Sequence, residues 1–340
     1  SYLAAQEKPL EEMTVEERQS LYRRIGYTIV RAINKVSVVT PFALTAVGLL
    51  CYDRRGISLG ELREVLELFY DYLAFRKVSL AMTFADREKA VSEALYLFNQ
   101  SGLISRMGAE EEEEEEEVEE IVYSLEDDKR MNLEYYKNNI LHYFLPVSFV
   151  ATAILTSSED MVPINRVCDD YSFFKRLFRH EFIFDDQKSD EEEVREVLTY
   201  LRDRGMIAGF DKDEKAWIEV KGRGRTSLHP FAGLIHNYME SYWVAVRGCY
   251  HLRKGPKAER DWLKNIRGLG VRMYRKGEIR RAEALSQSNY QSAIRYLEDV
   301  NIVTCIEVQD KKEKRFAKRY ALTDNKVQLE SLRRRLFKFL

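Results

Sequence analysis

The sequence predicts a mainly α fold (α+β), built from tandem winged-helix-like units in which helices carry small two-stranded β-wings. The main observation is a pattern that occurs three times: a helical run stops at a residue suited to a left-handed cap, and two apolar residues follow. The caps are Gly102, Gly205 and Asn301. Gly, and less often Asn, accepts a positive φ just past a helix, so the chain can reverse into a strand. A second extended run follows each stop, at residues 121–125, 216–220 and 319–323, which predicts a hairpin.

The helix starts are marked as regularly as the stops. Thr40-Pro41 supplies a capping hydroxyl and a proline at the first helical position, and Asp86 opens a later helix. Capping-box spacing places further starts at Ser58 to Glu61, Ser189 to Glu192 and Ser288 to Gln291. Starts and stops together predict units at residues 31–130, 131–225 and 226–340, after a linker or helix at 1–30. In the second unit only the last helix and its hairpin are marked.

The composition is that of a folded, charge-rich protein. The 340 residues are 45% hydrophobic and 32% charged, with a net charge of −2. The four cysteines form no CxxC pair, which disfavours a zinc site or a disulfide framework and fits a reducing, cytosolic setting. Residues 1–10 have neither a signal peptide nor the features of a natural N-terminus, so we expect further chain upstream.

Two stretches have unusual composition. The apolar stretch at 140–155 is interrupted by His142, Pro146 and Ser148, and it is shorter than the roughly 18 to 20 residues of a membrane span. It predicts a core helix bent at Pro146, with shallow membrane contact as the alternative. The acidic loop at 109–120 is glutamate from Glu110 to Glu120 except at Val118. Because adjacent like charges repel, it predicts a solvated loop insert, with a partner site as the alternative.

The usual enzyme signatures, such as a Walker loop, a Rossmann fingerprint, HExxH or GxSxG, are absent from the sequence. His180 and Asp185 match the HxxxxD spacing of glycerolipid acyltransferases, in which the histidine takes a proton from the acceptor hydroxyl. However, Phe182 and Phe184 alternate as in a half-buried strand, and no glycine-rich phosphate cradle follows. We therefore expect no catalytic residue in this chain. The other histidines lack partners at metal-ligand spacing, so no metal site is predicted.

Positive charge is concentrated near the C-terminal end. Residues 253–281 hold eleven basic side chains against three acidic ones, a local charge of plus eight. Such a surface can attract acidic lipids, acidic proteins or phosphate groups, although a solvated helix face is the alternative. The candidate anion-binding residues are Arg253, Lys254, Lys257, Arg272, Arg275, Lys276, Arg280 and Arg281. The tail at 331–340 mixes four cations with bulky apolar groups, which is typical either of a membrane-surface segment or of one that docks on its own domain.

Several runs resemble bacterial and mitochondrial glycerol-3-phosphate acyltransferases. They are the run from Arg31 to Pro41, the run from Leu133 to His142, and the run from His229 to Trp243. Shorter matches at 277–279, 283–286 and 296–298 extend the resemblance over nearly the whole chain. The residues of the second run that it marks as interface candidates are Tyr135, Tyr136, Asn138, Asn139 and His142.

The resemblance implies that this chain is the accessory region that follows the acyltransferase domain, with the catalytic HxxxxD site and the phosphate-binding arginines upstream. The family transfers an acyl group from acyl-CoA or acyl carrier protein to the sn-1 hydroxyl of glycerol 3-phosphate, giving lysophosphatidic acid for phospholipid synthesis. It implies no cofactor. The implied partners are the upstream domain, an anionic membrane surface on its cytoplasmic side, where the protein is peripheral, and acyl carrier protein.

Two other functions remain open from the residues alone. A transcriptional regulator would place the third helix of a winged unit in the DNA major groove. Nucleic acid is disfavoured as a partner because Asp190 and the glutamates after it crowd the second unit's helix, and the glutamate loop would repel phosphates. A protein-interaction scaffold without an attached enzyme is the other alternative.

Overall fold

The computed structural model describes residues 9–108, 120–184, 187–212, 215–220, 222–310 and 315–340. It confirms a mainly helical chain with small antiparallel sheets. The acidic loop at 109–120 lies outside the described residues except for Glu120. Assignment of the units as winged helices stays a prediction.

The first part of the chain forms helices around a three-stranded sheet. Its elements are α1 (Val15–Val36), α2 (Pro41–Leu50), β1 (Gly56–Ser58), α3 (Leu59–Phe75), α4 (Arg87–Gln100), β2 (Ser105–Met107) and β3 (Val122–Ser124). The sheet order is β1-β3-β2, with both pairs antiparallel. The predicted caps are confirmed, because the side chains of Thr40, Ser58 and Asp86 each accept a hydrogen bond from a backbone N–H three residues on.

The second part repeats this order. Its elements are α5 (Asp127–Asn138), α6 (Leu141–Leu155), β4 (Met161–Pro163), α7 (Ile164–Leu177), α8 (Asp190–Asp203), β5 (Ile207–Lys212) and β6 (Lys215–Val220). The sheet order is β4-β6-β5. The predicted capping box between Ser189 and Glu192 is present in both directions. The boundaries placed after residues 30 and 130 fall inside α1 and α5, so the division into units stays a prediction.

The third part is larger and has a two-stranded hairpin. Its elements are α9 (Gly222–Gly233), α10 (His236–Gly248), α11 (Glu259–Arg275), α12 (Gln287–Asp299), β7 (Val303–Asp310), β8 (Arg315–Leu322) and α13 (Lys326–Phe337). A 3₁₀ helix at Cys249–Lys254 links α10 to α11, and another at Ala282–Leu285 precedes α12. The cap predicted at Ser288 is wrong: α12 begins at Gln287, because Ser286 accepts from the Asn289 N–H and leaves Ser288 inside the helix.

The three helix stops are confirmed and have the same geometry. Gly102, Gly205 and Asn301 have φ angles of 66°, 67° and 54°. In each case the N–H of the next residue donates to the carbonyl five residues back, at 2.9 Å in all three. This bond satisfies a carbonyl that the helix end leaves free and turns the chain toward the following strand.

A layer of apolar helices forms the centre of the protein. Most of α6 is buried, including Pro146, so the stretch at 140–155 is a core helix as predicted. Among the described helices no single one has the length and apolar composition of a membrane span, and α5 and α6 pass only as a pair bent by 104°. The tail docks on the protein itself, with Leu332, Leu336 and Phe339 buried. In contrast, α1 buries only Leu21.

Candidate functional site

A buried polar network connects the three parts of the chain. The Arg130 guanidinium donates to Glu283 at 2.8 Å and to the Tyr52 carbonyl at 2.9 Å. The Lys137 ammonium lies 2.5 Å from Glu134 and also donates to the Leu234 carbonyl. These contacts tie α5 to the end of α2, to α10 and to the 3₁₀ helix before α12. Breaking a pair of this kind leaves an uncompensated buried charge, so the network restricts how the parts can move.

Burial dominates the protonation behaviour of this network. Burial raises the pKa of Glu134 and lowers that of Lys137. The opposite charge of each partner acts against this shift, because it stabilises the charged form of the other. Burial also raises the pKa of Glu240 to about 7. Its carboxylate accepts hydrogen bonds from the backbone N–H groups of Arg280 and Arg281 at 2.8 and 2.9 Å, and these bonds act in the opposite direction by lowering the pKa. Because every charged group here has a partner inside the protein, the network is structural.

The predicted interface candidates of α5 and α6 do not form one surface. Tyr135 is 72% exposed, whereas Tyr136 packs between Phe42 and Phe98. Asn138 accepts from the Tyr238 hydroxyl at 2.8 Å, and Asn139 is an exposed C-cap. The His142 ring contacts the Asn34 carbonyl at 3.1 Å, and burial lowers its pKa to about 4. Tyr135, Asn138 and Asn139 are exposed, whereas Tyr136 and His142 are half-buried.

Three charged residues of α5 were not among the predicted site residues. Arg130, Glu134 and Lys137 are buried, and with Leu133 they occupy one face of α5. Their spacing of i, i+4 and i+7 is the pattern of a core-facing stripe. That spacing could have revealed them, but their charge suggested solvent instead.

The HxxxxD match does not assemble a catalytic pair among the described residues. His180 contacts Asp299 of α12, which also pairs with Arg179. Asp185 lies outside the described residues. The neighbouring Glu181 is half-buried, and burial of its carboxyl raises the pKa of that group to about 8. In the described part of the chain, no group of three His, Cys, Asp or Glu side chains could hold a metal ion.

The basic run divides into an exposed surface and a buried clamp. We call Arg253, Lys254, Arg272, Arg275, Lys276 and Arg280 the basic face, because all six are exposed. Lys257 is half-buried, and its backbone pairs with Tyr320 of β8. Arg281, one of the candidate anion-binding residues, departs from the prediction of a surface cation. It is 4% exposed and donates to the carbonyls of Leu50 and Cys51 at 2.8 and 3.0 Å. It therefore holds the end of α2 and is not open to an external anion.

A cavity of about 410 Å³, the α11 cavity, opens beside the basic face. It lies between the 3₁₀ helix Cys249–Lys254, α11 and α13, and Arg253 and Arg272 stand at its edge. Tyr250, which is 58% exposed, lies under the Arg253 guanidinium at 5.5 Å from the ring centroid. The basic run of the sequence gives no sign of this concave site.

An exposed apolar stripe runs along α1. Val15, Tyr22, Ile29 and Val36 are separated by seven residues, and Ile33 falls on the same face of the helix. These five side chains, the α1 stripe, are each between 54% and 76% exposed. A continuous apolar stripe in water is typical of a surface that another protein element covers.

The chain has relatives over most of its length. A family model described as the glycerol-3-phosphate acyltransferase C-terminal region matches residues 1–305. A protein named "Putative acyltransferase plsB1" from Mycobacterium tuberculosis is 21% identical over 333 residues, which cover 94% of this chain and 51% of that protein. A "Glycerol-3-phosphate acyltransferase" from Shewanella loihica is 23% identical over 239 residues, covering 70% of this chain and 27% of that protein. The chain thus spans about half the length of the first relative.

Proposed function

This chain belongs to the family of glycerol-3-phosphate acyltransferase C-terminal regions, and we propose that it is the accessory region of a glycerol-3-phosphate 1-O-acyltransferase. In that reaction the sn-1 hydroxyl of glycerol 3-phosphate attacks the acyl thioester of acyl-CoA or acyl carrier protein. The C–S bond of the thioester breaks, the hydroxyl proton is transferred to the departing sulfur, and the products are lysophosphatidic acid and the free thiol of CoA or of the carrier protein. The proposed contribution of this chain is to bind and orient the domain that performs the attack.

The α1 stripe carries this proposal. Burying apolar surface yields about 25 cal/mol per Å², so a helix that leaves five large apolar side chains in water gains stability when another element covers it. The stripe lies on α1, and the family model that matches the chain describes a C-terminal region, which implies a domain before it. Since the matched relative is about twice as long as this chain, the proposed occupant is the upstream acyltransferase domain.

The test compares two double variants of α1. Ile29→Asp with Ile33→Asp places two charges on the stripe, whereas Ser20→Asp with Thr28→Asp places two charges at exposed polar positions of the same helix, off the stripe. Each chain is mixed with the separately expressed upstream domain, and association and acyl transfer from palmitoyl-CoA to labelled glycerol 3-phosphate are measured. The stripe variant should weaken association at least tenfold and fail to support transfer, while the control behaves as wild type.

Three outcomes of this test would overturn the proposal. If the wild-type chain does not associate with the upstream domain, that domain is not what covers the α1 stripe. Activity of this chain alone would move the chemistry into it, with His180 and Asp185 as the first residues to replace. A stripe variant that only converts a dimer of this chain into a monomer would assign the stripe to a second copy.

The basic face supports a peripheral position at the cytoplasmic side of the membrane. Its six cations can attract anionic lipid at about 1 kcal/mol per residue near the surface. Replacing Arg272, Arg275, Lys276 and Arg280 by glutamine removes four such contributions and should weaken binding to phosphatidylglycerol vesicles at least tenfold. If vesicle binding is unchanged but binding of acyl carrier protein falls, the face serves the acyl donor; if neither changes, it serves neither partner.

The regulator and scaffold alternatives are less well supported. Asp190 and Glu193 of α8 pair with Lys175 at 2.7 and 3.0 Å, and the first turn of α8 is wholly acidic. Such a helix would repel the DNA backbone. A salt-dependent shift of duplex DNA at micromolar protein would revive the regulator. A scaffold without an enzyme would leave acyl transfer unaffected when the chain is added to the upstream domain.

A further inference from the structure

The α11 cavity has an apolar floor and a basic rim. Val246, Cys249, Leu269 and Leu329 are the apolar residues of its lining. The remaining lining residues are Arg247, Tyr250, His251, Arg253, Arg272 and Arg333. No acidic side chain belongs to this lining, in a protein whose overall charge is slightly negative. The cavity therefore concentrates positive charge in a recess.

Two of its four arginines are already neutralised. Arg247 pairs with Glu278 at 3.1 Å, and Arg333 pairs with Glu330 at 2.9 Å. For Arg253 and Arg272 no acidic partner is found among the described residues. Both side chains are exposed, and the Arg253 guanidinium packs over the Tyr250 ring. Two guanidinium groups are thus available to an external anion.

The pKa of His251, which lines the cavity, is consistent with this excess of positive charge. Partial burial first, and then the charges of Arg272, Lys257 and Lys254, lower the pKa of its imidazole. The ring packs edge-on to Tyr250 at 6.0 Å between centroids. An anion bound between Arg253 and Arg272 would relieve this repulsion and give His251 an acceptor for its ring N–H.

We propose that the α11 cavity binds a phosphate monoester. Guanidinium groups match the oxygens of a phosphate with two parallel hydrogen bonds, and a monoester carries nearly two negative charges at neutral pH. A volume of about 410 Å³ accommodates the phosphate and part of an uncharged body on the apolar floor. A phosphodiester has one charge and a substituent on each side, so it fits this recess less well.

The inference deepens the proposed function and rests on it for the source of the ligand. In that reaction the acceptor is a soluble phosphate monoester and the product is a lipid with a phosphate monoester headgroup. The chemistry of recognition is shared, and the two sources differ in whether the ligand lies in solution or in a membrane.

The test measures binding to the purified 340-residue chain by calorimetry. The soluble probes are inorganic phosphate and glycerol 3-phosphate, with glycerol as the uncharged control. The membrane probes are vesicles of phosphatidylcholine with phosphatidic acid, a monoester, or with phosphatidylglycerol, a diester, at equal surface charge. Arg253→Gln with Arg272→Gln removes the two free guanidinium groups. Arg275→Gln with Lys276→Gln removes the same charge from the exposed end of α11, outside the cavity.

The cavity variant should lose at least tenfold in affinity for the soluble monoester, or lose the preference for phosphatidic acid vesicles. The control variant should lose at most about twofold in affinity for the soluble monoester. Because it removes two cations of the basic face, it should weaken binding to both vesicle types but keep the preference between them. Arg253→Lys with Arg272→Lys keeps the charge but not the paired donors, so it should give an intermediate loss. Saturable binding of glycerol 3-phosphate assigns a soluble source, and preference for phosphatidic acid vesicles without soluble binding assigns the lipid. Melting curves of all variants check that the fold is retained.

Two results would overturn the site. One is the absence of soluble binding together with equal binding of both vesicle types. The other is an equal loss of affinity for the soluble monoester, or of preference for phosphatidic acid, in the cavity and control variants. Either result leaves the docking role of the basic face and the α1 stripe standing. Conversely, a chain that binds the monoester but does not associate with the upstream domain would refute the proposed function and keep the site.

Discussion

Arg130 and Glu283 lie 153 positions apart in the sequence, yet Nε of the arginine and Oε1 of the glutamate are 2.8 Å apart in the interior. Their side chains are 2% and 1% exposed. The guanidinium also donates to the carbonyls of Tyr52 and Arg54, so one side chain joins three segments of the chain. This contact fixes the relation between the first part of the protein and the third.

Removing one partner of this pair should destabilise the protein strongly. Arg130→Met leaves Glu283 buried without its cation, and such a loss costs about 3 to 5 kcal/mol. Urea denaturation followed by circular dichroism measures it. Arg130→Met combined with Glu283→Leu should recover part of the loss, because no isolated charge remains. A single variant within 1 kcal/mol of wild type would contradict a structural role.

Two adjacent arginines should behave in opposite ways. Arg281→Gln loses the donors to the carbonyls of Leu50 and Cys51 and should cost about 2 to 4 kcal/mol. Arg280→Gln removes an exposed ion pair with Asp53, which is worth less than about 1 kcal/mol. Denaturation midpoints of both variants make the comparison. An equal loss of unfolding free energy in the two variants would show that the buried contacts of Arg281 contribute no more to stability than the exposed ion pair of Arg280.

Features set by nearby residues were predictable from the sequence. A cap depends on residues within about four positions, which is why Thr40, Ser189 and the stop at Gly102 could be recognised. Ser288 was misplaced because Ser286 offers an equally good cap two residues earlier. Three-residue strands such as β1 and β4 give no periodicity, and β1 is formed by pairing with a strand some 65 residues away.

Features set by distant residues were not predictable. Arg281 was predicted to be a surface cation because it belongs to a basic run. The run does not reveal which of its side chains faces a group of backbone carbonyls in the folded protein. Likewise, Lys137 finds the Leu234 carbonyl 97 positions away. The α11 cavity needs the 3₁₀ helix, α11 and α13 to meet, and only the tertiary structure brings them together.

The buried carboxyl of Glu181 should make stability fall as the pH rises. Burial, the main cause, raises its pKa from 4.5 to about 8, whereas the Ser292 hydrogen bond and Arg295 lower it. A folded-state pKa above the unfolded value gives a contribution that is complete below pH 4.5 and is lost as the pH rises through about 8. Denaturation between pH 5 and 8.5 should show a decline on the order of 2 to 4 kcal/mol. Glu181→Gln should make the decline smaller and leave the part due to Glu240, whose pKa is raised to about 7; an unchanged slope would contradict this origin.

Gly233, the last residue of α9, should tolerate no side chain. A Cβ atom there would lie 1.8 Å from the Cys51 carbonyl oxygen, which is backbone and cannot move aside. Gly233→Ala should therefore cost about 2 to 4 kcal/mol through displacement of the end of α2. Gly26→Ala in α1 is the matched control: nothing lies within 4 Å of its Cβ, and removing a helical glycine should stabilise by up to about 1 kcal/mol. Thermal unfolding should shift in opposite directions for the two variants, and a harmless Gly233→Ala would refute the close approach of α9 to α2.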